Sequence, residues 1–296
     1  MASAVQSYKL IKKIKDEKFD IDQLHSYCLL IHLSVRDLQI GIVDDQNRFV
    51  FFEDYIFQNL STNEELLDLL KELFEAHHLL AAGFWNKVKM CIKNNKFVQV
   101  PASLFVEEAA LEYLKLNARV DEQKENVLHC HNENNKAVTV FAIDKALHNW
   151  ILDLYKNSTV EFLHQSSSLI EGVLDFAARS SQAPLFIYVD RFKLHILSVT
   201  AGKLVYYNQF VIQHFSDYVK YIMLVLNAMK MDQQTSKIVL WGYIGKNSPH
   251  FIEFSKYIKN VSFGGRPKHL KFGYLFDEVQ DHHFLDLYSL NLLANQ

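Results

Sequence analysis

The residues best placed for chemistry sit in a few short segments. Trp241-Gly242-Tyr243-Ile244-Gly245-Lys246-Asn247-Ser248-Pro249 runs from an apolar stretch into a helical one. Gly245, Lys246 and a following helix N-terminus can form an anion site, because free N–H groups and the helix dipole favour negative charge there. The same residues also read as a plain strand-to-helix loop, with Asn247 or Ser248 as N-cap and Pro249 at the first helical position. The spacing is not G-x-x-x-x-G-K-[ST], and no G-x-G-x-x-G occurs. His129-Cys130-His131 on a strand would put two imidazoles on one face. Zinc needs one or two further ligands, which Asp281-His282-His283 can supply only if the fold brings the segments together; the alternative is a polar strand face. His77-His78 falls at a helix end, where the dipole already favours histidine. No G-x-S-x-G elbow is present, and the three cysteines lack a catalytic context. Asp144 and Asp190 are too scattered to read as a two-metal nuclease centre. Ser166-Ser167-Ser168 reads as a helix start.

The elements that must hold these residues emerge from hydrophobic period. Residues 28–57 read as three successive strands, with Leu38, Ile40 and Ile42 in period-2 alternation and a polar turn at Asp44-Asp45-Gln46-Asn47. Ser61 and Glu64 have capping-box spacing for a helix whose apolar face is Leu66, Leu67, Leu70, Leu73 and Phe74. Val88–Ile92 is a predicted strand and Val106–Leu116 a predicted helix. Val127–Cys130 and Ala137–Ile143 form a predicted hairpin, and Asp144 caps a helix through Leu154. A strand at Val160–Leu163 and a helix at Ser166–Ala178 come next.

At residue 185 the opening pattern returns. A shift of 156 places Ile31 on Ile187, Leu33 on Val189, Leu38 on Leu194, Ile40 on Ile196, Val43 on Val199 and Phe51 on Tyr207 without a gap. We read this as an internal duplication. After it come a helix bearing Phe215, Tyr218, Val219, Ile222, Leu226 and Met229, a strand at Ile238–Ile244, a helix from Pro249 to Ile258, short strands near Val261 and Leu270, and a closing helix from Phe284 to Leu293. Strands and helices in alternation after a meander predict an α/β layered fold. The expected lobes are 1–182, with an insertion at about 94–143, and 183–296.

Two β-β-β-α-β-α units in tandem resemble the actin-like ATPase fold, a duplicated relative of the ribonuclease H fold. The chain also resembles an uncharacterised bacterial family of unknown function assigned to that fold. The cues are the paired strands, Pro101-Ala102-Ser103-Leu104-Phe105 and His283-Phe284-Leu285-Asp286-Leu287-Tyr288. The resemblance implies an Asp-x-Gly type turn in the first hairpin of each lobe, where glycine lets backbone N–H groups reach ATP phosphates. The matching turns here are Ser34-Val35-Arg36 and Asp190-Arg191-Phe192. None of the nine glycines has an aspartate two residues before it. The resemblance also places Gly242, Gly245, Lys246 and Asn247 at the adenosine loop.

Composition bounds the rest. Glycine and proline make up about 4% of the 296 residues, against roughly 12% on average, so disordered and collagen-like classes are excluded. The formal charge is −3 with no like-charge block, so nucleic acid has no steering field. Lys9, Lys12, Lys13, Lys15 and Lys18 read as a solvated terminus. The odd, apolar-flanked cysteines point to reduced thiols in the cytoplasm. No stretch reads as a membrane span or a signal peptide. The leading expectation is a non-catalytic actin-like protein with a degenerate nucleotide cleft, no cofactor and an unidentified protein partner. The alternative is a divergent ATP- and Mg-binding enzyme that uses Arg36 and Arg191 as phosphate ligands in place of glycine backbone, since guanidinium suits phosphate.

Overall fold

In the computed structural model, residues 7–60, 62–179, 185–191 and 193–293 are described. The chain forms two compact units. The first holds residues 1–168, 269–278 and 290–296, and the second holds 169–268 and 279–289. The division thus falls at 168/169, ahead of the 182/183 position expected from sequence, and two C-terminal segments return to the first unit.

In the first unit the chain runs β1 (Tyr8–Lys15), β2 (Cys28–Leu33), β3 (Asp37–Val43), β4 (Arg48–Phe57), α1 (Asn63–Ala76) and β5 (Lys87–Ile92). It continues through β6 (Phe97–Pro101), α2 (Ala110–Lys115), β7 (Glu125–Asn132), β8 (Ala137–Asp144), α3 (Lys145–Leu154) and β9 (Thr159–His164). The main sheet has the order β1-β4-β3-β2-β5-β9. β2 and β3 are buried almost throughout, as strands covered on both faces must be. The lysine-rich start is no loose terminus. It is the edge strand β1, paired antiparallel to β4, and Lys13 reaches the buried Glu53 at 2.7 Å. The lobe therefore opens with one strand more than β-β-β-α.

α1 starts one residue later than the expected capping box. Thr62 is the N-cap and Glu65 the reciprocal N3 partner; Ser61 lies outside the described residues. Leu66, Leu69, Leu70, Leu73 and Phe74 are its buried face. The segment 94–143 forms a separate sheet, β6-β8-β7, with α2 closing a small core of Val100, Leu114, Val138, Val140 and Ala142. The predicted helix 106–116 is split into a 3-10 turn and the six-residue α2.

α4 (Gln165–Arg179) leads into the second unit: β10 (Leu185–Val189), β11 (Lys193–Thr200), β12 (Lys203–Val211), α5 (Phe215–Ala228), β13 (Ile238–Gly242), α6 (Pro249–Tyr257) and β14 (Val261–Phe263). β15 (Lys271–Phe272) then pairs with β4 in the first unit, and α7 (Leu285–Tyr288) returns to the second. The closing helix is only these four residues plus a 3-10 turn, not 284–293. The second sheet has the order β12-β11-β10-β13-β14. Alternate residues of β10 serve its two faces. Leu185, Ile187 and Val189 pack with Ile222, Val225 and Leu226 of α5 and Phe254 of α6. Phe186 and Tyr188 pack with Leu169, Ile170, Val173 and Leu174 of α4. That is why α4 groups with the second unit.

Strands β4-β3-β2-β5-β9 of the first sheet repeat the order β12-β11-β10-β13-β14 of the second, and the first hairpins share one register. Ile31 faces Ile40 as Ile187 faces Ile196, and Leu33 faces Leu38 as Val189 faces Leu194. Both meanders carry a bulge at the same place, between Ile42 and Val43 and between Ser198 and Val199. Beyond the bulge the ungapped shift fails. Ile42 faces Phe51 whereas Ser198 faces Tyr206, so Phe51 corresponds to Tyr206 rather than Tyr207. The turn decides this. Residues 44–47 separate β3 from β4, but only Ala201 and Gly202 separate β11 from β12, both at positive φ, as a tight two-residue hairpin requires.

Candidate functional site

In the first unit the hairpin turn Ser34-Val35-Arg36-Asp37 closes on itself. The Ser34 N–H donates to the Asp37 carbonyl at 2.9 Å. Ser34 Oγ accepts the N–H groups of Arg36 and Asp37, each at 3.0 Å, and donates to the Asp37 carboxylate. Lys93, the first residue after β5, extends its ammonium to the same carboxylate, at 3.3 Å from Oδ1 and 3.1 Å from Oδ2. Both side chains are buried. Val35 and Arg36 stand on the exposed tip. Ser34 and Val35 also border a hollow of about 300 Å³ with Leu66, Leu67, Ile92 and Leu147. Its polar rim is internally paired: Lys96 with Glu125 at 2.7 Å, Asn94 with the Ala142 carbonyl at 2.7 Å, and Asp144 with the Leu147 N–H at 3.0 Å.

In the second unit the matching turn is Asp190-Arg191-Phe192-Lys193, of which Phe192 lies outside the described residues. The Asp190 N–H donates to the Lys193 carbonyl at 2.9 Å, and the Arg191 N–H donates to Asp190 Oδ1 at 2.7 Å. Asp190 is buried. The Arg191 guanidinium lies over the Tyr243 ring, 4.3 Å from its centroid. Tyr243 occupies the position after β13 that Lys93 occupies after β5, and each donates its N–H to the strand preceding the turn, at 2.7 Å to Val189 and 2.8 Å to Leu33. Both turns are thus closed by a side-chain oxygen on their own amides and by a cationic contact with the residue after the neighbouring strand, Lys93 on Asp37 in one and Arg191 on Tyr243 in the other.

The loop after β13 behaves differently along its length. Gly242 sits at φ +93°, and a Cβ there would lie 2.1 Å from the Val189 carbonyl oxygen. Its glycine is thus required by packing. Gly245 faces open space. Gly245, Lys246, Asn247 and Ser248 border a cleft of about 650 Å³ with Phe263, Gly264, Gly265, Gln280, Asp281 and His282. Asp190, Arg191 and Gly242 do not border it. Ser248, not Asn247, caps α6, and its Oγ takes the Phe251 N–H at 3.2 Å. Pro249 has no N–H. The α6 terminus is therefore poorly supplied with donors for an anion.

The walls of this cleft are structural. A Cβ at Gly264 would lie 1.9 Å from the Trp241 indole, whose Nε1 donates to the Gly265 carbonyl at 3.2 Å. Trp241 is core, against Phe176 and Phe186. His282 Nε2 donates to the Ile244 carbonyl at 2.6 Å, and burial holds its basicity below the usual imidazole range. Arg266 and Asp281 pair at 3.0 Å. His283 packs on Tyr243; burial, then His282 and Arg191, lower its pKa to about 4.

The other candidates fall in packing roles. His129 and His131 both rest on Phe105, at 5.0 Å and 6.2 Å, while Cys130 is buried on the opposite face. Among the described residues no group of three or more His, Cys, Asp or Glu side chains is arranged to hold a metal. His77 Nε2 lies 2.7 Å from Glu53. Ser166, Ser167 and Ser168 are fully buried, with Ser167 bonded to Thr139 at 2.9 Å. Lys93, Tyr243 and the Gly264-Gly265 wall escape a reading by motif. Aligning the residue after β5 with the residue after β13 would have found the first two.

Two sheets with a shared five-strand order, each a meander continued by parallel strands, define the class: this is the actin-like ATPase fold. Within it, the chain belongs to the DUF3822 family of proteins of unknown function, whose sequence profile matches residues 16–261. A crystal structure from Bacteroides thetaiotaomicron VPI-5482, of a protein with actin-like ATPase fold and unknown function, superposes with a TM-score of 0.74 at 23% identity, over 93% of this chain and 99% of that one. The PilM–PilN type IV pilus biogenesis complex matches with a TM-score of 0.57 at 11% identity, over 91% of this chain and 98% of that one. No curated protein matches the chain in sequence. No described helix is long and apolar enough to cross a membrane.

Proposed function

We propose that this chain is a cytoplasmic actin-like protein, built by duplication of one β-β-β-α-β-α unit, that does not hydrolyse ATP and acts by binding another protein. One observation carries the reading. The amides that a phosphate would need at the two hairpin turns are already hydrogen-bonded to Ser34 Oγ and Asp190 Oδ1. A phosphate must displace those bonds before it can use the same amides. Lys93 on Asp37 and Arg191 on Tyr243 hold the turns in that closed state. The equal register and equal bulge of the two meanders support the duplication. A role in protein contacts is in keeping with the PilM–PilN complex, a neighbour in fold that pairs with a second protein.

The competing reading is nucleotide binding through Arg36 and Arg191, with Gly245 and Lys246 near the base. Thermal melting with and without millimolar Mg-ATP separates the two, because micromolar binding raises stability by RT ln(1 + [L]/Kd). No shift is expected. A clear upward shift that Arg191→Ala abolishes would overturn the non-catalytic reading.

A further inference from the structure

Another hollow of the first unit, of about 300 Å³, lies where the end of β1, the start of β4 and β15 meet. Asp16, the residue after β1, borders it. Its N–H donates to the Val50 carbonyl at 2.9 Å. Its carboxylate presses so close to the chain that a Cβ at Gly273 would lie 1.8 Å from Oδ2. Asp16 is only 8% exposed. Oδ1 accepts the Lys18 N–H at 2.9 Å, but Oδ2 has no partner among the described residues. A carboxylate oxygen buried this far ordinarily has one. Lys18, Arg48 and Lys271 border the same hollow. Arg48 is occupied, its Nε on Asp44 at 2.9 Å and its guanidinium also on Gln46. Lys271 stands beside Arg48 in the parallel β4–β15 register, a pairing of like charges that a sheet disfavours. Among the described residues, neither the Lys18 nor the Lys271 ammonium has a carboxylate partner. One carboxylate and its opposite charges thus face a common hollow without meeting.

We propose that this hollow binds a free α-amino acid with an apolar side chain. The ligand ammonium meets Asp16 Oδ2, and the ligand carboxylate meets Lys18 and Lys271. Phe49 and Phe272, with ring centroids 5.8 Å apart, supply the apolar lining for the side chain. The charges select this class. A hard metal ion takes several oxygen ligands, and the hollow offers one carboxylate among three cations. A simple anion would sit against the Asp16 carboxylate. A zwitterion answers both signs, so that no buried charge is left uncompensated. A volume of about 300 Å³ is at the lower end for ligand pockets, which favours a ligand of this size over a nucleotide. None of these residues belongs to either hairpin turn or to the cleft beside Gly245.

The test is isothermal titration of the full chain, without nucleotide, with L-leucine, L-isoleucine, L-valine, L-methionine and L-phenylalanine. At least one should bind. Its N-acetyl form lacks the ammonium and its amide lacks the carboxylate, and each should bind about tenfold or more weakly, since each forfeits one charge-assisted contact. Asp16→Asn keeps an acceptor for the Lys18 N–H and removes the charge, so it should weaken the same amino acid about tenfold or more. Lys271→Gln, at an exposed position, should also weaken it, and keeps the proposal testable if Asp16→Asn does not fold. Absence of binding by all five amino acids overturns the proposal. So does binding that Lys271→Gln or a folded Asp16→Asn leaves unchanged. An N-acetyl form that binds as tightly as the amino acid would mark an anion site only, and an amide that does so a cation site only; either result overturns it as well.

Discussion

The Lys93 ammonium lies 3.1 Å from the Asp37 carboxylate, and the two side chains are 2% and 1% exposed. A buried ion pair adds little net stability, but removing one partner leaves an uncompensated charge. Lys93→Met should therefore destabilise the fold by about 3–5 kcal/mol. Lys93→Met combined with Asp37→Asn should recover most of that loss, because Asn still reaches Ser34. Urea unfolding of the single and double variants measures both. Equal destabilisation in the two would mean that the charge is not what holds the turn.

The two glycines after β13 should answer differently to the same change. Gly242→Ala forces a side chain onto a left-handed backbone and into the Val189 carbonyl, at about 2–4 kcal/mol, in the range of strained core substitutions. Gly245→Ala meets nothing within 4 Å and should stay within about 0.5 kcal/mol of the parent. A chemical denaturation curve for each decides it; a comparable loss at Gly245 would point to a bound group at that position.

Acid should weaken the second unit well before its carboxylates titrate. His283 has a pKa lowered to about 4 by burial, His282 and Arg191, against an unfolded value of about 6.5. Between those values the unfolded chain holds a proton that the folded chain does not, so stability rises with pH. It should thus decline as pH falls from about 6.5 towards about 4, with no further change from this residue below that. Melting of the wild type and of His283→Gln across that window should diverge, the variant losing less. Parallel pH profiles would contradict the assignment.

The thiols should be inert. Burial pushes Cys28 up to about 11, and Lys89 and Lys87 pull it back only in part, while Cys91 and Cys130 are buried. At pH 8 the native protein should react with an aromatic disulfide about a hundredfold more slowly than a free thiol, because the thiolate is the nucleophile. A rapid equivalent of released chromophore would be inconsistent with this environment.

Much of this protein is legible in its sequence, for identifiable reasons. Period-2 alternation in Leu38, Ile40 and Ile42, repeated in Leu194 and Ile196, identifies these segments as strands and says which residues share a face, although both faces prove to be buried. The missing Asp-x-Gly turns are legible because glycine and carboxylate are required there by type. The scarcity of glycine already limits what the backbone can cradle. Local rules do less well where partners are distant. The lysine-rich start reads as solvated because its pairing partner β4 lies some forty residues on. The segment 284–293 reads as one helix, yet α7 covers only Leu285–Tyr288, where Tyr188 donates to Asp286 and Ser289 lies so close to Gly172 that a Cβ there would not fit. The sequence by itself determined the strand patterning and the absence of Asp-x-Gly turns, since both depend on residue type and spacing. Only the tertiary structure decided that Lys93 closes one turn, that Arg191 stacks on Tyr243 in the other and that Gly242 is held by Val189. Those contacts join residues some fifty positions apart, and it is parallel strand pairing that brings them within reach.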